Sequence, residues 1–245
     1  MPSTAPDSTR RIRRVLSTRS PGASRAPYNS FNLGTHVGDD ADAVAQNRAR
    51  LADAIGVPGP NLVWMEQVHG RGVAVVSTPQ QEPVPMVDAL VSDTPGIALN
   101  VLTADCVPVL LWDDESGVIG AAHAGRHGVR LGVVKATVER MRELGARPER
   151  IDALLGPAIC GSCYEVPAAM QADVEAAAPG SACATRRGTT GLDLPAGVVA
   201  QLTAVGVSRV QRDHRCTAED DGLFSYRRDG RTGRQTAVIW IEERR

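Results

Sequence analysis

The chain has 245 residues, enough for a sizeable core, and its 27 Lys plus Arg nearly cancel its 28 Asp plus Glu. That balance gives no electrostatic case for nucleic acid. Nothing approaches a membrane span and the N-terminus lacks a signal-peptide apolar run. Five cysteines, an odd number, argue for a reducing, cytoplasmic setting with thiols free or on metal.

Aromatic residues make only 3% of the chain, so the core must be Val, Leu, Ile and Ala, while 24 glycines and 16 prolines demand many sharp turns. The expectation is a loop-rich α/β enzyme, with a disordered segment over 1–10 and one domain over 11–245. Arg10, Arg11, Arg13 and Arg14 read as a solvated leader, because no recognition helix or aromatic platform follows. A strand is expected over Ile12–Ser17, then a long irregular loop that Tyr28, Phe31 and Leu33 mark as ordered and packed. Asp39 and Asp40 open a helix whose Val44, Arg48, Leu51 and Ile55 recur at helical spacing, closed by Gly56 and Pro58.

"NLVWMEQVHG" reads as a strand ending in a turn, "GVAVV" as another strand, and the polar segment 77–86 as a surface loop. "VPVLLW" and "GVIGAA" flank the turn "DDESG" and predict an antiparallel hairpin. Cys106 and His123 then lie near the same end of it. Beyond "HAGRHG", where Gly125 and Gly128 argue against helix, Leu131, Val134, Val138, Met141 and Leu144 step by three and four to Gly145. "IDALLGPAI" is a strand. Pro167 opens a helix with Met170 and Val174 inward, and Pro195 another with Val198, Leu202 and Val205 inward. A loop through "SYRRDG" and a final strand close the chain.

The strongest chemical constellation is His69, Cys106 and His123, each at the end of an apolar run. A thiolate with two imidazoles suits zinc, and three protein ligands with one open position is the catalytic pattern. Taken singly, each of these residues is more often a packing or hydrogen-bonding residue than a ligand. Cys160 and Cys163 in "CGSC" form a second candidate. With Cys183 and Cys216 scattered, a structural zinc site built from all four is set below ordinary free thiols near a turn. His36 is a candidate lining residue, His127 lies at most behind the site, and His214 reads as surface. Arg227 and Arg228 offer guanidinium forks for phosphate or carboxylate, although at least one reads as solvated.

The ordered markers "NLGTHVGDD", "QVHG", "DALV", "TADCVPVLL", "HAG", "LGPAICGSCYEV" and "FSYRRDGRTGR" make the chain resemble the YfiH-type, or laccase-domain, family from Ser17 to Ile241. The resemblance implies a four-layer αββα sandwich with mixed sheets, in one domain, and a zinc site on His69, Cys106 and His123. It also implies purine nucleoside chemistry: phosphorolysis of adenosine, inosine and methylthioadenosine, and deamination of adenosine. Carried over, Arg228 helps bind substrate or phosphate and Asn32 shapes the pocket. The family usually reads H-A-G-W-R-G where this chain has "HAGRHG", which puts substrate preference in question.

Three activities compete. A zinc-dependent nucleoside enzyme takes purine nucleoside and phosphate as its partners, with Asp105 as a candidate proton shuttle for deamination. A copper polyphenol oxidase is disfavoured by counting: five histidines and no H-x-H pair are too few for a multicopper cluster, although copper suits the same three ligands. A hydrolase with Cys106 as nucleophile and a histidine base, editing wrongly incorporated amino acids in peptidoglycan precursors, is the third. No nucleic-acid or membrane partner is expected, and a monomer is the working expectation.

Overall fold

The computed structural model describes residues 11–242; the segment 1–10, expected to be disordered, lies outside them. In chain order the first half comprises β1 (Ile12–Leu16), α1 (Ala41–Ile55), β2 (Leu62–Val63), β3 (Val73–Val75), β4 (Ala89–Ser92), β5 (Ala98–Thr103), β6 (Val107–Asp113) and β7 (Val118–Ala124). Then come α2 (Arg126–Leu131), α3 (Val133–Glu143), β8 (Asp152–Leu155), α4 (Ala168–Ala177), β9 (Ala182–Ala184) and β10 (Thr190–Leu192). The chain closes with α5 (Leu194–Ala204), β11 (Arg209–Arg212), α6 (Tyr226–Asp229) and β12 (Gln235–Ile241).

Two mixed sheets face one another. One runs β11-β8-β6-β7-β4-β3, the other β1-β12-β5-β2. Leu90, Leu110, Ile119 and Ala121 of the first pack against Leu99, Val101, Ala237 and Ile239 of the second. The helices α2 to α5 cover the outer face of the larger sheet, through Val129, Val134, Val174 and Val198. The smaller sheet is covered by α1, through Leu51 and Ala52 against Ala98, Val238 and Trp240. This is the expected four-layer α/β arrangement. It explains why the central strands carry near-continuous apolar runs: both of their faces are buried.

Local chemistry sets the elements that matter for the site. Asp40 caps α1, accepting from Asp42 N at 2.8 Å and Ala43 N at 3.1 Å, and Gly56 ends it in a left-handed conformation at φ 68°. The β6–β7 hairpin forms across Asp114–Gly117, with Asp113 Oδ1 accepting from Glu115 N and Ser116 N. Its register sets Pro108 opposite His123, which brings Cys106 and His123 to one end.

Three expectations are corrected. A helix does begin inside "HAGRHG", at Arg126. Gly128 there is a packing requirement, since a Cβ would stand 3.1 Å from Gly70 O and 3.3 Å from Val133 Cγ1. Leu131 ends that short helix, 40% exposed, instead of belonging to the buried face of α3. Arg13 and Arg14 are not a solvated leader but part of β1. Arg13 pairs with Glu242 at 2.7 Å, and the Arg14 guanidinium lies 3.8 Å from the Trp112 ring centre.

Candidate metal centre

His69, Cys106 and His123 converge at one end of the sandwich, and their ligand atoms all lie within 4.8 Å of one another. His123 is the penultimate residue of β7 and is buried, Cys106 immediately precedes β6 and is half-buried, and His69 reaches in from an exposed turn. Two non-glycine residues with positive φ frame the group: His69 itself at 58° and Asp105 at 95°. Such conformations cost of the order of 1–3 kcal/mol and persist where surrounding contacts enforce them.

The enforcing contact at His69 is Asp88, a fully buried carboxylate. It accepts from Val68 N at 3.3 Å, His69 N at 2.9 Å and Gly70 N at 2.6 Å. Its Oδ1 also lies 2.8 Å from His123 Nδ1, which turns the other ring nitrogen, Nε2, toward Cys106. Burial alone would push the Cys106 thiol up, but the His123 and His69 imidazoles reverse this and bring it to about 6. The thiolate, the form that binds metal, is thereby favoured at neutral pH. Gly125 completes the cradle: a Cβ there would stand 2.9 Å from His69 Cδ2 and 3.0 Å from Cys106 Sγ. One thiolate, two imidazoles and a carboxylate behind one of them fit a zinc-type ion with an open fourth position.

The triad forms the floor of a cavity of about 410 Å³, within the roughly 300–1,000 Å³ of small-molecule sites. Gln67, Ile159, Tyr164 and Leu194 contribute walls, and Arg126, Arg227 and Arg234 also line the cavity and give it a cationic character, with Arg234 Nη1 bonded to Thr232 O and Gly233 O at 3.0 Å and Arg126 Nη2 to His127 Nε2 at 2.7 Å. His36 lines it as anticipated; burial, then Arg234 and Arg48, hold its pKa below the usual imidazole value, so it stands neutral. His127 and His214 are exposed.

Other anticipated residues are placed differently. Arg228 does not line the cavity. Its guanidinium donates to Thr217 O, Asp220 O and Leu223 O at 2.8–3.1 Å and pairs with Asp229. Arg227 takes the place facing the site. Asn32 is buried and fully bonded, to Gly34, to Asp39 and to Arg234 N at 2.9 Å, so it shapes the pocket only through Arg234. Asp105 lines the cavity, but its carboxylate accepts from Thr217 Oγ1 at 2.6 Å, Ser225 Oγ at 2.7 Å and Arg227 N at 2.6 Å. That makes it an anchor for the C-terminal loop more than a free proton carrier.

Sequence reasoning missed Asp88, Tyr164 and Arg234 as site residues. Asp88 opens the quoted stretch "DALV", but one aspartate ahead of an apolar strand looks like turn chemistry. The other four cysteines also resolve differently: Cys216, read as scattered, gathers with the Cys160–Cys163 pair and Glu219, and Cys183 stands outside that group.

The family model described as "Multi-copper polyphenol oxidoreductase laccase" matches residues 13–242. The chain belongs to this laccase-like family. A family member from Corynebacterium glutamicum, named purine nucleoside phosphorylase, is 54% identical over 234 residues, 95% of each chain. One from Streptomyces griseus with the same name is 52% identical over 223 residues, covering 90% of this chain and 91% of its own. Among solved family structures, YlmD from Geobacillus stearothermophilus superposes with a TM-score of 0.89 at 35% identity, covering 95% of this chain and 92% of its own. YfiH from Bacillus licheniformis also gives 0.89, at 28% identity over 94% and 93% of the two chains. Among the described residues no helix is long and apolar enough to cross a membrane.

Proposed function

We propose that this laccase-family chain is a zinc-dependent purine nucleoside phosphorylase acting on adenosine, inosine and methylthioadenosine, with adenosine deamination as a second activity of the same centre. The observation that carries the reading is the meeting of a three-ligand metal cradle with three guanidiniums in one cavity. The relatives named purine nucleoside phosphorylase support it.

Phosphorolysis joins a phosphate oxygen to the ribose C1′ as the bond from C1′ to the purine nitrogen breaks. Phosphate must be held against C1′ with its charge compensated. Arg126, Arg227 and Arg234 supply forked donors for that dianion. Arg227 is fixed for the task by its backbone bond to Asp105 and by its guanidinium bond to Glu165 O at 3.0 Å. Ile159, Leu194 and Tyr164 give the base an apolar wall. Asp88 holds His123 and the His69 turn in their ligating orientations. When bound by His69, Cys106 and His123, zinc supplies Lewis acidity at its open position; copper suits the same donors. Arg126 stands where the family usually has Trp, which replaces an apolar wall with a further anion-binding group. The free thiols fit the cytoplasm.

One second reading has an observation of its own. Cys106, His123 and Asp88 stand as nucleophile, base and orienting carboxylate, the arrangement of a cysteine hydrolase. Metal dependence separates the two. Adenosine incubated with zinc-loaded protein and phosphate should yield adenine, with turnover lost on chelation and in Cys106→Ala. Inosine as product reports the deamination. No turnover of any of the three nucleosides removes the nucleoside reading, and hydrolase activity that survives chelation puts the cysteine reading in its place.

A further inference from the structure

A second cluster of metal-binding side chains lies outside the triad. Cys160 and Cys163 occupy one tight turn, in which Cys163 N and Tyr164 N both donate to Cys160 O at 3.0 Å. Cys216 and Glu219 occupy another, in which Glu219 N and Asp220 N donate to Cys216 O at 3.0 and 2.9 Å. The turns are built alike, each with a cysteine, two spacers and a second donor three residues on. A parallel bridge between Ala158 and Cys216 holds them side by side, with Thr217 N donating to Ala158 O at 3.1 Å. Cys160 N donates to Cys216 Sγ at 3.3 Å. The three sulfurs and a Glu219 oxygen all come within 4.8 Å of one another.

We propose that Cys160, Cys163, Cys216 and Glu219 form a closed structural site for a zinc-type divalent ion. Zinc–sulfur bonds of about 2.3 Å in a tetrahedron put sulfurs roughly 3.8 Å apart, so the observed spacing needs only small side-chain rotations to close on an ion. Paired donors three residues apart in two turns are the usual way such closed sites are assembled. The N–H donated to Cys216 Sγ is a bond that a metal-bound sulfur also accepts. Three thiolates and a carboxylate leave the loaded site net anionic, and the Arg186 guanidinium, bonded to Glu219, sits where it offsets that charge.

The placement gives the ion a structural task. Tyr164, next to Cys163, lines the cavity. Thr217, next to Cys216, bonds Asp105, which carries the Arg227 backbone. Pinning the two turns together fixes two segments of the cavity wall without any group of the cluster touching a substrate.

Cobalt substitution of the full-length chain tests this. In a Cys106→Ser background the first centre offers no sulfur, so thiolate-to-cobalt charge-transfer absorption can come only from elsewhere. That absorption should persist in Cys106→Ser and be lost when Cys163→Ser is added, with zinc content falling by one equivalent per chain. Its absence from Cys106→Ser overturns the proposal. Because Cys163→Ser also alters the packing of its turn, alkylation of the unmutated chain provides a second readout. Zinc should protect Cys160, Cys163 and Cys216 together, and a chelator should expose them. Equal labelling with and without zinc, or a disulfide recovered among the three, equally overturns the site.

Discussion

Asp88 Oδ1 stands 2.8 Å from His123 Nδ1, and the same carboxylate takes the backbone N–H groups of Val68, His69 and Gly70. One buried side chain thus orients two of the three residues proposed as metal ligands. An amide at this position turns one acceptor into a donor facing other donors. Asp88→Asn should weaken zinc binding about 10- to 100-fold, read by competition with a chromophoric chelator.

Gly125 has ordinary extended dihedrals, φ −76° and ψ 169°, so alanine there meets no backbone strain. Its Cβ does meet His69 Cδ2 at 2.9 Å and Cys106 Sγ at 3.0 Å. Gly125→Ala should displace both ligands and lower turnover by about a hundredfold. Zinc stoichiometry should fall with it, while the melting temperature of the zinc-free protein stays near that of the unmutated chain.

The neighbours Arg227 and Arg228 should separate cleanly. Arg228 ties three carbonyls of the 217–223 segment, and Arg228→Ala should cost about 2 kcal/mol, a drop in Tm of roughly 4–8 °C. Arg227→Ala should leave Tm in place and raise KM for phosphate. Calorimetry and phosphate titration of the two variants check this.

Asp113 carries a pH prediction. Burial pushes its carboxyl up, but N–H donation from Arg147, Ser116 and Glu115, with Arg150 nearby, brings it below the usual carboxylate value. A depressed folded pKa means that the stabilisation is fully present above the unfolded value, about 3.9, and is lost as pH falls through the folded one. Asp113→Asn should be less stable at neutral pH by about 1–3 kcal/mol. It should also show a shallower acid decline in urea melts between pH 7 and pH 3.

What the sequence determined by itself is whatever rests on short-range chemistry. Asp40 and Gly56 bound α1 because capping acts within a turn of the helix end. The Cys106–His123 pairing was legible because "DDESG" closes a hairpin whose register follows from the turn. The tertiary structure decided the rest. Gly128 sits inside a helix because Gly70 and Val133 press against it, a packing demand that propensity cannot register. Arg227 and Arg228 are adjacent on the single turn α6, yet neighbouring positions on a helix project about 100° apart, and which one meets the cavity depends on how α6 docks. Asp88 and the joining of Cys216 and Glu219 to Cys160 and Cys163 depend likewise on segments far apart in the chain. Their approach is set by sheet order and loop packing, and those follow from burial of the whole core rather than from the residues that meet.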